Sequence, residues 1–200
     1  MNFGRSSLLA VLLSTSLLAH EGSESGFYLG IGLDLLNSTS HTAIDLPMGY
    51  SLTQNLDKDK KVQRPGINIG YRFTPNHRVY FEYRTFEREF ALKDRDISMG
   101  LFGYAYTPKF SDNWRVLLGA NIGSTSMTDD YNHEISAGTA GLKLGMILEL
   151  AEHHEIELGF RHDSVKFDIN FMGGTPQTII AYGTQKLKYN GFFMGYGYKF

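Results

Sequence analysis

The feature that most constrains this chain is a two-residue alternation between large apolar side chains and small or charged ones, sustained over most of its length. Successive side chains of an extended strand point to opposite faces, so a period of two is strand geometry. Phe27, Leu29, Ile31, Leu33 and Leu35 alternate with Tyr28, Gly30, Gly32 and Asp34. Ile67, Ile69, Tyr71 and Phe73 alternate with Asn68, Gly70 and Arg72, and Val79, Phe81 and Tyr83 with Tyr80, Glu82 and Arg84. The pattern returns in Val116, Leu118 and Ala120 against Arg115, Leu117 and Gly119, and in Leu142, Leu144 and Met146 against Lys143, Ile147 and Glu149. Ile156, Leu158 and Phe160 oppose Glu157, Gly159, Arg161 and Asp163, and Phe192, Met194, Tyr196, Tyr198 and Phe200 oppose Gly191, Phe193, Gly195, Gly197 and Lys199. In Ile97–Tyr106 both parities are apolar, which predicts a bulge that switches faces. With that segment the chain has eight strands.

The connections alternate in length. Thr74–His77, Lys109–Asn113 and Ala151–His154 are tight polar turns, whereas Ser38–Lys61, Thr128–Ser136 and Asn170–Lys186 are long and Ala91–Asp96 is intermediate. Short turns on one rim and long loops on the other describe an all-β, eight-stranded antiparallel up-and-down transmembrane β-barrel. A soluble barrel would place the large residues inside, but eight strands enclose a space that ordinary side chains already fill. The reverse assignment fits both volumes: large residues outside, glycines and charges inside. Among the outward mid-strand positions, from Leu29 to Tyr196, none is charged, as expected where a lipid-facing Lys or Arg costs about 2–4 kcal/mol. Two aromatic belts are expected: Phe27, Tyr71, Phe73, Tyr104, Tyr106, Trp114, Tyr198 and Phe200 on the short-turn side, and Phe86, Phe90, Phe167, Tyr189 and Phe192 on the loop side.

Met1–Ser7 carries one positive charge, Arg5, and precedes the apolar run Leu8–Ala19 and a polar stretch. This is the pattern of a secretory signal peptide over residues 1–19, with a second cleavage possibility as far as 25, leaving a barrel over 26–200. The formal charge of −2 and the absence of cysteine argue against a nucleic-acid partner, a disulfide framework and a thiolate metal site.

Several residues could carry chemistry. The inward parity gathers Asp34, Arg72, Glu82, Arg84, Arg115, Lys143, Glu149, Glu157 and Arg161, with Asp163 and Lys199. In a narrow bore these charges should pair, giving a polar plug, because an unpaired buried charge is expensive. The alternative is a gated ion path controlled by Glu82, Arg84, Lys143 and Arg161. His162 and Ser164 share the outward face, where a neutral imidazole could deprotonate the hydroxyl if an acid oriented the ring. His153-His154-Glu155 reads as a solvated turn, since adjacent strand residues point apart and no third metal ligand is evident. Leu56–Lys61 is a mixed charge run of loop character. Loops on a rigid scaffold are where binding concentrates, so an extracellular ligand would meet Ser38–Lys61 and Asn170–Lys186.

Gly26-Phe27-Tyr28-Leu29-Gly30, Gly70-Tyr71-Arg72-Phe73 and above all Gly195-Tyr196-Gly197-Tyr198-Lys199-Phe200 resemble small outer-membrane β-barrel proteins, the OmpA-transmembrane-domain and OmpX/Ail-like porin-family barrels of Gram-negative bacteria. The resemblance implies an outer-membrane address among lipid and lipopolysaccharide, insertion by the barrel-assembly machinery, and loops outside the cell. Tyr196, Tyr198 and Phe200 are similar to the terminal assembly signal of those barrels. The family implies no cofactor and no single activity. A structural or surface-interaction role through the loops, without catalysis, is the expectation, and an anchoring role through a peptidoglycan-binding domain after Phe200 is not. The His-x-Ser at His162 and Ser164 resembles that of the outer-membrane lipid A deacylases, whose sites face the outer leaflet. Here Val165 follows the serine where that family has Asn, and the near acid is Asp168. A lipid A deacylase-like enzyme and a narrow ion pore are the two alternatives.

Overall fold

A computed structural model describes residues 25–46, 50–54, 60–90, 93–128, 134–173 and 178–200. The strands are β1 (Gly26–Leu46), β2 (Tyr50–Gln54), β3 (Lys60–Thr74), β4 (His77–Phe90), β5 (Lys93–Tyr106), β6 (Trp114–Thr128), β7 (Glu134–Ala151), β8 (His154–Gly173) and β9 (Thr178–Lys199). Each pairs antiparallel with its neighbour, and β9 returns to β1 to close the cylinder. Eight strands form the wall; β2 pairs only with the far end of β1, from Thr42↔Gln54 to Leu46↔Tyr50. The proposed signal peptide lies outside the described residues, as does most of the Leu56–Lys61 charge run.

A membrane-crossing strand needs about 9–11 residues, yet β1, β8 and β9 run to 21, 20 and 22. Ser38–Asp45 continues to pair with Tyr182–Tyr189, so much of the Ser38–Lys61 and Asn170–Lys186 segments expected as loops is an extension of the barrel wall. Extending the existing ladder gives the backbone N–H and C=O groups of these segments local partners.

Alternation decides the facing throughout. Leu144, Phe160 and Met194 are 59%, 45% and 50% exposed, while Lys143 and Arg161 fall to 6% and 0%. The bulge expected in Ile97–Tyr106 does not form. The β5 register runs unbroken from His77↔Tyr106 to Phe90↔Lys93 and from Ile97↔Met127 to Tyr106↔Leu118. Ile97, Met99 and Leu101 point inward, because the loop-side half of the lumen is itself apolar: they pack with Leu36, Val62, Phe86, Met127, Val165, Phe167 and Leu187. The loop-side aromatic belt is corrected for the same reason. Phe86, Phe167 and Tyr189 belong to this inner cluster, Phe192 is exposed, and the side chain of Phe90 lies outside the described ones. The short-turn belt is outward, with Phe27, Tyr71, Phe73, Tyr104, Tyr106, Tyr198 and Phe200 all exposed and Trp114 half-buried.

The inward glycines make room for luminal rings. A Cβ on Gly103 would collide with the ring of Tyr80, and one on Gly70 with the ring of Tyr28. The wall is also asymmetric. Among the described residues the β3–β4 ladder ends at Gly66↔Arg84, although β3 stays paired with β1 up to Ser38↔Lys60. Beyond that point β3 has a free edge toward β4, which is where proline and lysine are tolerated, and Pro65 and Lys61 stand there. Arg84 donates to the backbone carbonyl of Arg64 at 3.4 Å, supplying a donor where the ladder has none.

Candidate functional site

The lumen is a stack of alternating layers. Nearest the loops lies the apolar cluster just described. Beneath it, four bases face three acids. Arg64 donates to Asp34 at 3.0 Å and to Asp163 at 2.5 Å. Arg161 donates to Asp163 and to Glu82, each at 2.7 Å, and to Asp34 at 3.5 Å. Lys143 closes on Glu82, and Arg84 lies 3.5 Å from Asp34 and 3.7 Å from Glu82. All seven side chains are buried.

An aromatic and aliphatic layer follows, made of Tyr28, Tyr80, Ala105, Leu117, Ile147 and Phe193. Rings bind the layers together: Lys143 lies 4.7 Å from the centre of the Tyr80 ring, Arg64 5.0 Å from that of Tyr189 and Arg78 5.1 Å from that of Tyr28. Desolvated contacts of this kind contribute about 2 kcal/mol each. At the short-turn end Arg72 donates to Glu155 at 2.8 Å and Glu149 at 3.3 Å, Arg115 donates to Glu149 at 2.7 Å, and Arg78 reaches Glu155 at 3.0 Å and Glu157 at 2.6 Å.

The structure thus brings Asp34, Glu82, Arg84, Lys143 and Arg161 into one ionic layer and Arg72, Arg115, Glu149 and Glu157 into another. Three members escape the sequence reading: Arg64, Arg78 and Glu155. Each obeys the inward parity of its strand, so extending Asn68–Arg72 back to residue 64, Tyr80–Arg84 back to 78 and Glu157–Asp163 back to 155 would find them.

His162 and Ser164 lie half-buried on the outer wall, apart from both layers. The His162 Nδ1 contacts Asn190 Oδ1, and Asp168 is engaged by Thr184 at 3.5 Å and Lys166 at 3.8 Å. Among the described residues no group of three or more His, Asp or Glu could hold a metal ion. His153 and His154 do not part as strand neighbours would: both pack against the Tyr198 ring, at 5.6 and 5.2 Å, while reaching the Lys199 carbonyl at 2.8 Å and the Tyr196 hydroxyl at 2.5 Å, because His153 lies in the turn before β8. Tyr196, Tyr198 and Phe200 line the outer face at the short-turn end, with Tyr198 and Phe200 edge to face.

An antiparallel cylinder closed by the β1–β9 pairing, with an apolar exterior and an ionic, filled axis, is an integral β-barrel of the outer membrane, because closure pairs the strand edges that lipid cannot satisfy, the loop-side part of the β3–β4 seam excepted. The sequence model of the outer membrane protein beta-barrel domain family matches residues 7–200, and the chain belongs to that family. Its place is the outer membrane of a Gram-negative bacterium. Among solved structures it is similar to Neisserial surface protein A, at 15% identity over 88% of this chain and 99% of that one, with a TM-score of 0.54. OprG of Pseudomonas aeruginosa aligns at 14% identity over 90% of this chain and 98% of that one, with a TM-score of 0.55. OprH of P. aeruginosa aligns at 21% identity over 88% and 99%, with a TM-score of 0.53. These likenesses concern the fold. No curated protein matches the sequence.

Proposed function

We propose that this protein is a closed, non-catalytic barrel that acts as a structural element of the outer membrane and presents its strand extensions as an interaction surface outside the cell. The observation that carries this reading is the filled lumen: an apolar layer, two salt-bridged layers and an aromatic layer follow one another along the axis. An ion crossing it would have to break pairs such as Arg161–Glu82, both of whose side chains are no more than 1% exposed. Separating such a pair costs about 3–5 kcal/mol, which speaks against the pore. The lipid A deacylase alternative has weak support, since among the described residues no carboxylate lies within ion-pair distance of His162.

The test has two arms. Purified protein in a planar bilayer should show no steady conductance. Cells displaying the wild type should be retained on arrays of immobilised glycans and extracellular-matrix proteins. Cells whose residues 41–58 and 170–184 are replaced by short Asn-Gly turns should not be retained. Stable single-channel currents, or retention unaffected by trimming, would overturn the proposal.

A further inference from the structure

The outer wall carries a basic cluster that neither luminal layer uses. On β8, β9 and β1 Lys166 stands directly opposite Lys186, which in turn faces His41. One step toward the membrane centre, Lys188 stands between Ser164 and Thr39, and a step further His162, Asn190, Asn37 and Lys61 align across β8, β9, β1 and β3. Like charges directly opposed across strands destabilise a sheet, yet the wall retains them. Asp168 lies 3.8 Å from Lys166, with the two side chains 80% and 65% exposed, and an exposed pair of that kind contributes little. Among the described residues Lys61, Lys186 and Lys188 have no carboxylate within ion-pair distance.

Directly below the lysines, on the same strands, the outer face forms a groove of about 750 Å³ lined by Ile31, Leu33, Ile67, Leu158, Met194 and Tyr196. Leu35 and Phe192, both exposed, connect the two regions. Met194 lies four residues below Asn190, about 13 Å along the strand. With the strand tilt of about 35–45° usual in such barrels, that is about 10 Å along the membrane normal, inside one leaflet of a hydrocarbon layer about 30 Å thick. The cationic groups therefore stand at the loop-side end of an apolar trough that runs toward mid-membrane.

We propose that this wall is a binding site for a phosphorylated lipid of the outer leaflet. The phosphate lies against Lys166, Lys186 and Lys188 and an acyl chain lies in the groove beneath. An ammonium is a suitable point charge for a phosphate, and a bound anion removes the Lys166–Lys186 repulsion. Continuity of the cluster with the groove selects a lipid over a soluble anion. The inference rests on the outer-membrane placement and not on any external partner of the strand extensions, so either proposal can fail alone.

The test titrates the full barrel in detergent micelles with bisphosphorylated lipid A, with the same lipid stripped of phosphate, and with inorganic phosphate, read by native mass spectrometry. Wild type should hold the bisphosphorylated lipid about tenfold or more tighter than the stripped one. The K166Q/K186Q/K188Q variant, whose substitutions lie on the outer wall at exposed or half-buried positions and should leave heat-modifiability on gels intact, should lose that preference. Leu33→Trp, which fills the groove, should weaken both lipids alike while leaving the preference for phosphate. Equal binding of the two lipids by wild type, or an unchanged preference in the triple variant, would overturn the site. Displacement of the lipid by equimolar inorganic phosphate would overturn its assignment to a lipid.

Discussion

Glu82 is the acid on which the middle luminal layer turns, so Glu82→Gln is the most informative single change. Its carboxylate meets Lys143, Arg161 at 2.7 Å and Arg84 at 3.7 Å, and its side chain is 1% exposed. Without that charge Arg161 keeps Asp163 and Asp34, and Arg84 keeps Asp34 at 3.5 Å. Lys143 keeps the rings of Tyr80 and Phe193, at 4.7 and 5.4 Å, and the more distant charge of Glu157. Four buried cations would then face two anions, and an interaction broken on one side alone costs about 3–5 kcal/mol. The amide retains some hydrogen bonding, which places the expected loss near the lower value. Removing both partners is different: the double variant Glu82→Gln/Lys143→Met substitutes an apolar side chain beside Tyr80 and Phe193 and should recover most of the loss, since apolar replacement of a buried pair is often close to neutral. Urea unfolding and refolding in lipid vesicles, followed by the folded band on gels and by Trp114 fluorescence, measures both. A single variant within about 1 kcal/mol of wild type, or a double variant no more stable than the single, would refute the layer as a coupled ionic unit.

Gly103→Ala should destabilise by about 1–3 kcal/mol, because its Cβ meets the Tyr80 ring in a packed lumen, and Tyr80→Ala in the same chain should relieve the clash; unfolding midpoints decide it. Leu144→Arg should lower stability by about 2–4 kcal/mol, while Leu144→Phe should be nearly neutral, if the outward face meets lipid. Spin labels placed by cysteine substitution should report the facing of β5: a label at Phe102 should be accessible to oxygen dissolved in lipid, and labels at Met99 and Leu101 should not. Equal accessibility at 101 and 102 would restore the bulge.

The parity of large and small residues, read without coordinates, reached most of the wall and most of the ionic pairs. It stopped short at Arg64, Arg78 and Glu155 because a period of two shows which face a residue takes but not where a strand ends. It also treated Phe86, Phe167 and Tyr189 as belt residues, although each holds the inward parity of its own strand. In Ile97–Tyr106 two apolar parities carry no information on facing, and only the pairing with β4 and β6 resolves it.

What the amino-acid order determined alone is the class of object: strands, their number, and a wall with lipid-compatible groups on one side. These follow from local geometry, since each residue's side is set by its neighbours one step away. Tertiary structure decided everything that depends on distance around the cylinder. Arg64 and Asp163 are 99 residues apart in sequence, and only closure of β9 onto β1 brings them to one height. Pairing between neighbouring strands sets Lys166 opposite Lys186 and ends the β3–β4 ladder at Gly66. Alternation and the tight turns constrain the register of each hairpin, but which side chains meet across the bore depends on all the strands at once.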